Sequence, residues 1–164
     1  MGCDIHMCVE YTRDAYNGWH CGDYFHKRDP YDEDEEASRI DLYDDRNYSL
    51  FAVLANVRNG GDHQYIDTPR GLPDDVTPYV KSEYESWGLD AHSCSYFTLR
   101  EIYEFQVKNN PTNFMGYPIL KTLLDRLIRR ADELWLIYDF EWDDPSPEVL
   151  EKAEQIRIVF WFDN

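Results

Sequence analysis

Asp4 and His6 are the residues of this chain best typed and spaced for chemistry. They stand two apart in Met-Gly-Cys-Asp-Ile-His, in a segment, Cys3 to Tyr11, whose alternation predicts a β-strand. Side chains two apart on a strand share a face. Ile5, Met7, Val9 and Tyr11 then line one face, and Asp4, His6, Cys8 and Glu10 line the other. A carboxylate and an imidazole roughly 6–7 Å apart along the backbone can ligate one metal ion, or the acid can orient the base for proton transfer. An antiparallel strand with one wet face carries the same pattern, so the rest of the chain has to decide.

Three more groups bear on that decision. Arg70-Gly71-Leu72-Pro73-Asp74-Asp75 sets a guanidinium fork in a rigid loop, suited to an anion, with Arg58 as a second clamp. A plain turn, or an ion pair of Arg70 with Asp74 or Asp75, is the rival. Asp90-Ala91-His92-Ser93-Cys94-Ser95-Tyr96 gathers an imidazole, two hydroxyls, a thiol and a phenol in what reads as a connection. Ser93, Ser95 and Tyr96 are candidate ligand contacts, with loop capping as the alternative. Asp163 ends a strand, a common place for a site residue. Asp4, His6 and His92 are expected to meet in one polar pocket, His6 and His92 as catalytic groups. With Asp163 they form a candidate mixed N/O ligand set for Zn²⁺ or Mn²⁺ with an open position for water.

These residues need elements to hold them. A hairpin signal at Asn17-Gly18 precedes a second strand over 19–25, and 26–47 is a polar, acidic excursion. Apolar spacing predicts a helix over 48–58 stopped by Gly60-Gly61. Thr77-Pro78 caps a second helix ending near Trp87, and Thr98-Leu99-Arg100-Glu101 is a capping box opening a third, to about Lys108. The longest helix is predicted over 118–138, and Ser146-Pro147-Glu148 starts a short one to Ala153. Ile156 to Phe162 is a β-branched and aromatic strand, read as buried on both faces and central in a sheet. The sum is one α+β domain over 1–164: a small mixed or antiparallel sheet containing the first and last strands, with helices mainly on one face. Residues 139–154 read as an insert-like segment.

Composition narrows the function classes. The 164 residues carry 33 acids against 16 bases, a net charge of −17. That field repels nucleic acid and anionic membranes and favours basic partners. No apolar run of membrane-spanning length and no basic-then-apolar leader is present, so a cytoplasmic protein is expected. Cys3, Cys8, Cys21 and Cys94 form no CxxC pair, and both Cys3 and Cys8 read as packed thiols. His20, Cys21 and His26 miss zinc-finger spacing, and His63 reads as exposed. No nucleophile elbow or phosphate-binding P-loop is present. Thirteen Tyr and five Trp suit ligand pockets and interfaces, including self-association.

Five blocks, MGCDIH followed by Val-Glu, RNYSLFAVLANVRN, RGLPDD, DAHSCSYFTLREI and RIVFWFDN, follow one another in order from one end of the sequence to the other. In these the chain resembles a family of uncharacterised proteins encoded by bacteria and their phages. The resemblance implies a phage or mobile-element accessory protein in the cytoplasm of a bacterial host, and it brings no activity with it. Asp4, His6, Arg58, Arg70, His92, Ser93 and Asp163 all fall within these blocks. Two functions remain. One is a polar pocket for a small anionic, nucleotide-like ligand, held or hydrolysed with a metal, in an anti-defence setting by analogy. The other is an acidic inhibitor that docks on a basic host protein surface as a nucleic-acid mimic.

Overall fold

The computed structural model describes residues 2–13 and 18–164. Four strands form one antiparallel sheet: β1 (Asp4–Tyr11), β2 (His20–Cys21), β5 (His92–Thr98) and β6 (Ile156–Asp163), in the order β2-β1-β6-β5. A separate two-stranded sheet pairs β3 (Tyr24–His26) with β4 (Ser38–Ile40). The first and last strands pair along their whole length, from Asp4 opposite Asp163 to Tyr11 opposite Ile156. Apart from Asp163, every β6 side chain is buried, as its unbroken run of branched and aromatic residues requires of a central strand. The α+β class and the sheet membership follow the sequence reading.

Among the described residues, five α-helices complete the fold: α1 (Tyr48–Ala55), α2 (Pro78–Ser86), α3 (Leu99–Asn109), α4 (Lys121–Glu133) and α5 (Pro147–Lys152). The main core joins Ile5, Met7 and Val9 of β1 and Ile158, Phe160 and Phe162 of β6 to α1, α3, α4 and α5. The opposite sheet face carries a smaller core, in which Cys8, Cys94, Val159 and Trp161 pack under Val80 of α2. Four of the five helices thus share one face, and α2 alone covers the other.

Several boundaries move for identifiable reasons. Helix α1 stops at Ala55, not near Arg58, because Asn56 adopts a left-handed conformation (φ 58°) and caps it. The longest helix spans 121–133, shorter than 118–138, and Trp135 (φ 62°) turns the chain away beyond it. The expected strand over 19–25 splits into β2 and β3 around Gly22-Asp23. Gly22 fits there because a Cβ would sit 3.0 Å from Val9 Cγ1. The segment read as a connection over 89–97 contains strand β5. The Asn17-Gly18 signal falls partly outside the described residues. Thr77, Thr98 and Ser146 cap their helices as their sequences predict.

Candidate functional site

The start of β1 and the end of β6 meet at one edge of the sheet face that α2 covers. Antiparallel pairing sets Asp4 opposite Asp163 and His6 opposite Trp161. The Asp163 carboxylate works twice: Oδ1 accepts from the Asp4 backbone N–H at 3.2 Å, and Oδ2 lies 3.1 Å from His6 Nε2. With its proton on Nε2, the imidazole donates to Asp163 and leaves Nδ1 as a lone pair. Nδ1 has no hydrogen-bond partner among the described residues and is not buried. Both side chains are 19% exposed.

Helix α2 shapes this site by where it stops. It runs over Cys8 and Val159, ends at Ser86, and delivers Trp87 onto the imidazole, ring centroids 4.0 Å apart. The Trp161 ring, cross-strand from His6, has its centroid 6.1 Å from the same imidazole. Two indoles therefore pack against the His6 ring, and the Nδ1 edge is the one without a partner among the described residues. The Trp161 indole N–H is buried without an acceptor among the described residues, an orphan donor that normally costs roughly 1–3 kcal/mol.

Two arginines stand near this end of the sheet, Arg46 on Asp4 and Arg58 by Cys3 on the main-core side. Arg46 grips Asp4 with two bonds of 2.8 Å, and this hydrogen bonding holds the Asp4 carboxyl below its ordinary pKa. Arg58 hydrogen-bonds the Cys3 thiol and lies over the Tyr48 ring at 5.8 Å. Burial pushes the Cys3 thiol up in spite of Arg58, so Cys3 is a packed thiol and not a nucleophile. Arg58 also lines a polar cleft of about 200 Å³ with Tyr48, Ser49 and His63. His63 is half-buried there, not exposed as its sequence setting suggested.

His92 does not join Asp4 and His6. An unbroken register from Ser95 opposite Phe160 would set His92 opposite Asp163, on the His6 face. A one-residue bulge between His92 and Ser95, with Ser93 at φ 53°, sets it opposite Phe162 instead. A one-residue shift moves a side chain to the other face. The His92 ring accordingly stacks on Phe162 at 6.0 Å, on the main-core side, with Nδ1 3.1 Å from Ser93 Oγ and Nε2 buried without a partner among the described residues. The expected four-ligand metal set of Asp4, His6, His92 and Asp163 is thus not assembled. Among the described residues, no group of three or more His, Cys, Asp or Glu is arranged to hold a metal ion.

Arg70 is spoken for. It lines a cleft of about 580 Å³, but its guanidinium bonds Asp67, Glu101 and the Tyr96 carbonyl and lies over the Phe97 ring. Its backbone N–H donates to Ser95 Oγ, and Ser95 is fully buried. Arg70, Ser95 and Tyr96 therefore fasten the preceding loop to β5 and α3, and the ion-pair partners are neither Asp74 nor Asp75. Sequence reasoning also missed Arg46, Trp87 and Tyr48 at the sheet end. The only signals for them were neighbourhood: Arg46 and Tyr48 flank the Asn47 helix cap, and Trp87 ends the α2 pattern.

No protein-family model, curated protein or solved structure matches this chain. Among the described residues no helix is long and apolar enough to cross a membrane.

Proposed function

We propose that the protein binds a small anionic, nucleotide-like ligand at the sheet end, where His6 accepts a proton or a hydrogen bond from it. The observation that carries this reading is the His6–Asp163 pair. Its carboxylate fixes the imidazole while the second ring nitrogen stays free at a partly exposed position. A solvated surface histidine does not need a carboxylate on one edge and two indoles packed against its ring. Arg46, if it releases Asp4, supplies positive charge beside the pair, and Arg58 adds to it from the Cys3 side, in a chain that otherwise repels anions. Tyr48 and Trp87 supply aromatic surface for a base. Binding and one proton transfer are within reach of these residues; a metal-held water has no ligand set here. Under the resemblance to phage and bacterial proteins, such a ligand would be a host defence signal.

The acidic-inhibitor reading has the charge but less geometry. The acidic run from Asp29 to Glu36 spends Asp29, Asp32 and Glu35 accepting backbone N–H groups of its own turns. Those carboxylates brace a loop, whereas a mimic of nucleic acid would aim them outward in register.

The test is a melting-temperature screen with nucleoside mono-, di- and cyclic phosphates, with inorganic phosphate as the charge control, followed by titration calorimetry. We expect a nucleoside phosphate to raise the melting temperature of the wild type, and His6→Gln or Arg58→Ala to abolish the rise. No response from the wild type to any of them, with tight and steeply salt-dependent binding to a basic protein instead, would replace this reading by the inhibitor.

A further inference from the structure

The region 105–124 is the longest stretch of the chain without Asp or Glu, although acids are 33 of the 164 residues. It also carries the densest exposed apolar cluster: Val107, Phe114, Met115 and Tyr117, with Phe114 98% exposed. These residues are not the debris of a floppy loop. Helix α3 ends at Asn109 with Asn110 as its cap, and the chain then forms a tight excursion closed by the Thr112–Pro118 bridge and by Ile119 N–H donating to the Pro111 carbonyl. Inside it, Asn113 Oδ1 accepts from the backbone N–H groups of both Met115 and Tyr117, and the Gly116 N–H returns to the Asn113 carbonyl. Gly116 has φ +83°, a conformation that suits glycine. These bonds brace the loop from within, and it holds its apolar side chains out in water.

A cleft of about 420 Å³ opens beside the two ends of this loop. Asn110 and Pro118 form its rim, and Tyr103, Val107 and Trp142 give it apolar walls. The Tyr103 hydroxyl bonds the Trp142 carbonyl, and Lys121 lies over the Trp142 ring, so the walls are fixed in place. One surface therefore carries a rigid apolar plug and, next to it, a rigid apolar socket.

We infer that this surface binds a second copy of the same chain, the Phe114–Met115 plug of each protomer seating in the α3–Trp142 socket of the other. Plug and socket side by side are what a two-fold interface requires, because each copy must offer both at once. Electrostatics selects the partner. Two molecules at −17 repel over most orientations, and an interface that faces acid with acid is costly. The 105–124 stretch brings no carboxylate to the contact and carries Lys108 and Lys121, so the acids at the partner's socket, Asp143 on its wall with the exposed Glu141 and Asp144 beside it, meet a plug that does not repel them. Phe, Met and Tyr are also the side chains enriched at interface centres. None of the residues of the His6 site takes part, so this pairing stands or falls separately from ligand binding.

Sedimentation velocity of the full chain, over about a hundredfold range of concentration, tests it. The wild type should shift from monomer to dimer as concentration rises. The dimer should tighten with added salt, because salt screens the repulsion between acidic copies while the apolar contact persists. Phe114→Asp should stay monomeric, with the melting temperature of the wild-type monomer, since Phe114 touches almost nothing within its own chain. Lys121→Glu, which adds an acid at the socket, should weaken the dimer while Phe114 remains. A wild type monomeric at every concentration and salt overturns the inference, as does a dimer that Phe114→Asp leaves intact. A monomer that floats with neutral phosphatidylcholine vesicles also overturns it, and assigns the plug to a lipid surface.

Discussion

Strands β1 and β6 run side by side, and on one sheet face their two ends hold the same kind of residue in opposite conditions. At one end, Glu10 faces Arg157, both almost wholly buried. Arg157 Nε donates to Glu10 Oε1 at 2.9 Å, Nη1 donates to Asp75 at 2.8 Å, and the guanidinium lies 3.8 Å from the Trp19 ring centroid. Glu10 Oε2 accepts the Thr77 backbone N–H, the N-cap residue of α2. At the other end, His6 and Asp163 are partly exposed, and one imidazole nitrogen has no partner among the described residues. The difference lies in the cover. The segment before α2 folds over the Glu10 end and brings backbone and Asp75 with it, but the helix runs out at Trp87, which offers His6 a ring and no polar group. An alternating acid–imidazole–thiol–acid strand thus contains a structural clamp and a reactive edge, told apart only by what packs on it.

Breaking the clamp should have the largest effect. Arg157→Met leaves Glu10 as a buried carboxylate with the Thr77 N–H as its remaining donor. We expect a loss of roughly 3–5 kcal/mol in urea unfolding. Adding Glu10→Gln should restore most of it, because Gln is neutral and its oxygen still accepts from Thr77. A single mutant within about 1 kcal/mol of wild type would put the Glu10 end in the same class as an exposed pair.

A second acid at the covered end is sensed through pH. Asp23 accepts from the Val9 N–H with both oxygens, and burial, outweighing Arg39, Val9 and Arg130, pushes its pKa from 3.8 to about 6. Between those values the native carboxyl holds a proton that the unfolded chain has released, so stability falls as pH rises. The contribution is complete below the unfolded pKa and gone above the folded one. Two pKa units correspond to an order of ~3 kcal/mol. Asp23→Asn should flatten that part of the stability–pH curve. A curve parallel to the wild type across this window would remove the burial argument.

How much of this was legible from sequence differs by level. The caps Thr77, Thr98 and Ser146, the buried strand β6 and the alternation of β1 are local facts, and propensity and hydrogen bonding within a few residues decide them. Strand β5 was not legible, because Ser93, Ser95 and Thr98 read as loop formers and the strand lies at an edge. The separation of His92 from His6 hangs on a single bulged residue, which no alternation pattern reveals. Arg70 was legible as a side chain that needs an anion, but not that Asp67 and Glu101 already provide it.

At the reactive edge, stability and binding should part company. His6→Gln and Asp163→Asn each remove one member of a partly exposed pair, so we expect losses of at most about 1 kcal/mol. Ligand-induced stabilisation should vanish in both if the pair serves binding. A loss as large as that of Arg157→Met would recast His6–Asp163 as a second structural clamp.

The smallest effect should come from Arg46. Its bond to Asp4 has ideal bidentate geometry, yet both side chains are about half exposed, 52% and 45%. Water solvates each partner when they separate, and ordering two long side chains offsets most of the attraction. Arg46→Ala should therefore leave the urea-unfolding midpoint almost unchanged. Gly2 is the one place where this could fail, because the guanidinium lies flat against it, 2.6 Å from where a Cβ would stand. If that contact orders the start of β1, Arg46→Ala will loosen the Asp4–Asp163 pairing, and hydrogen exchange at the Asp4 amide will speed up while the Glu10 amide stays protected. Equal protection at both amides would show Arg46 to be a surface ion pair and no more, free to leave Asp4 for an incoming anion.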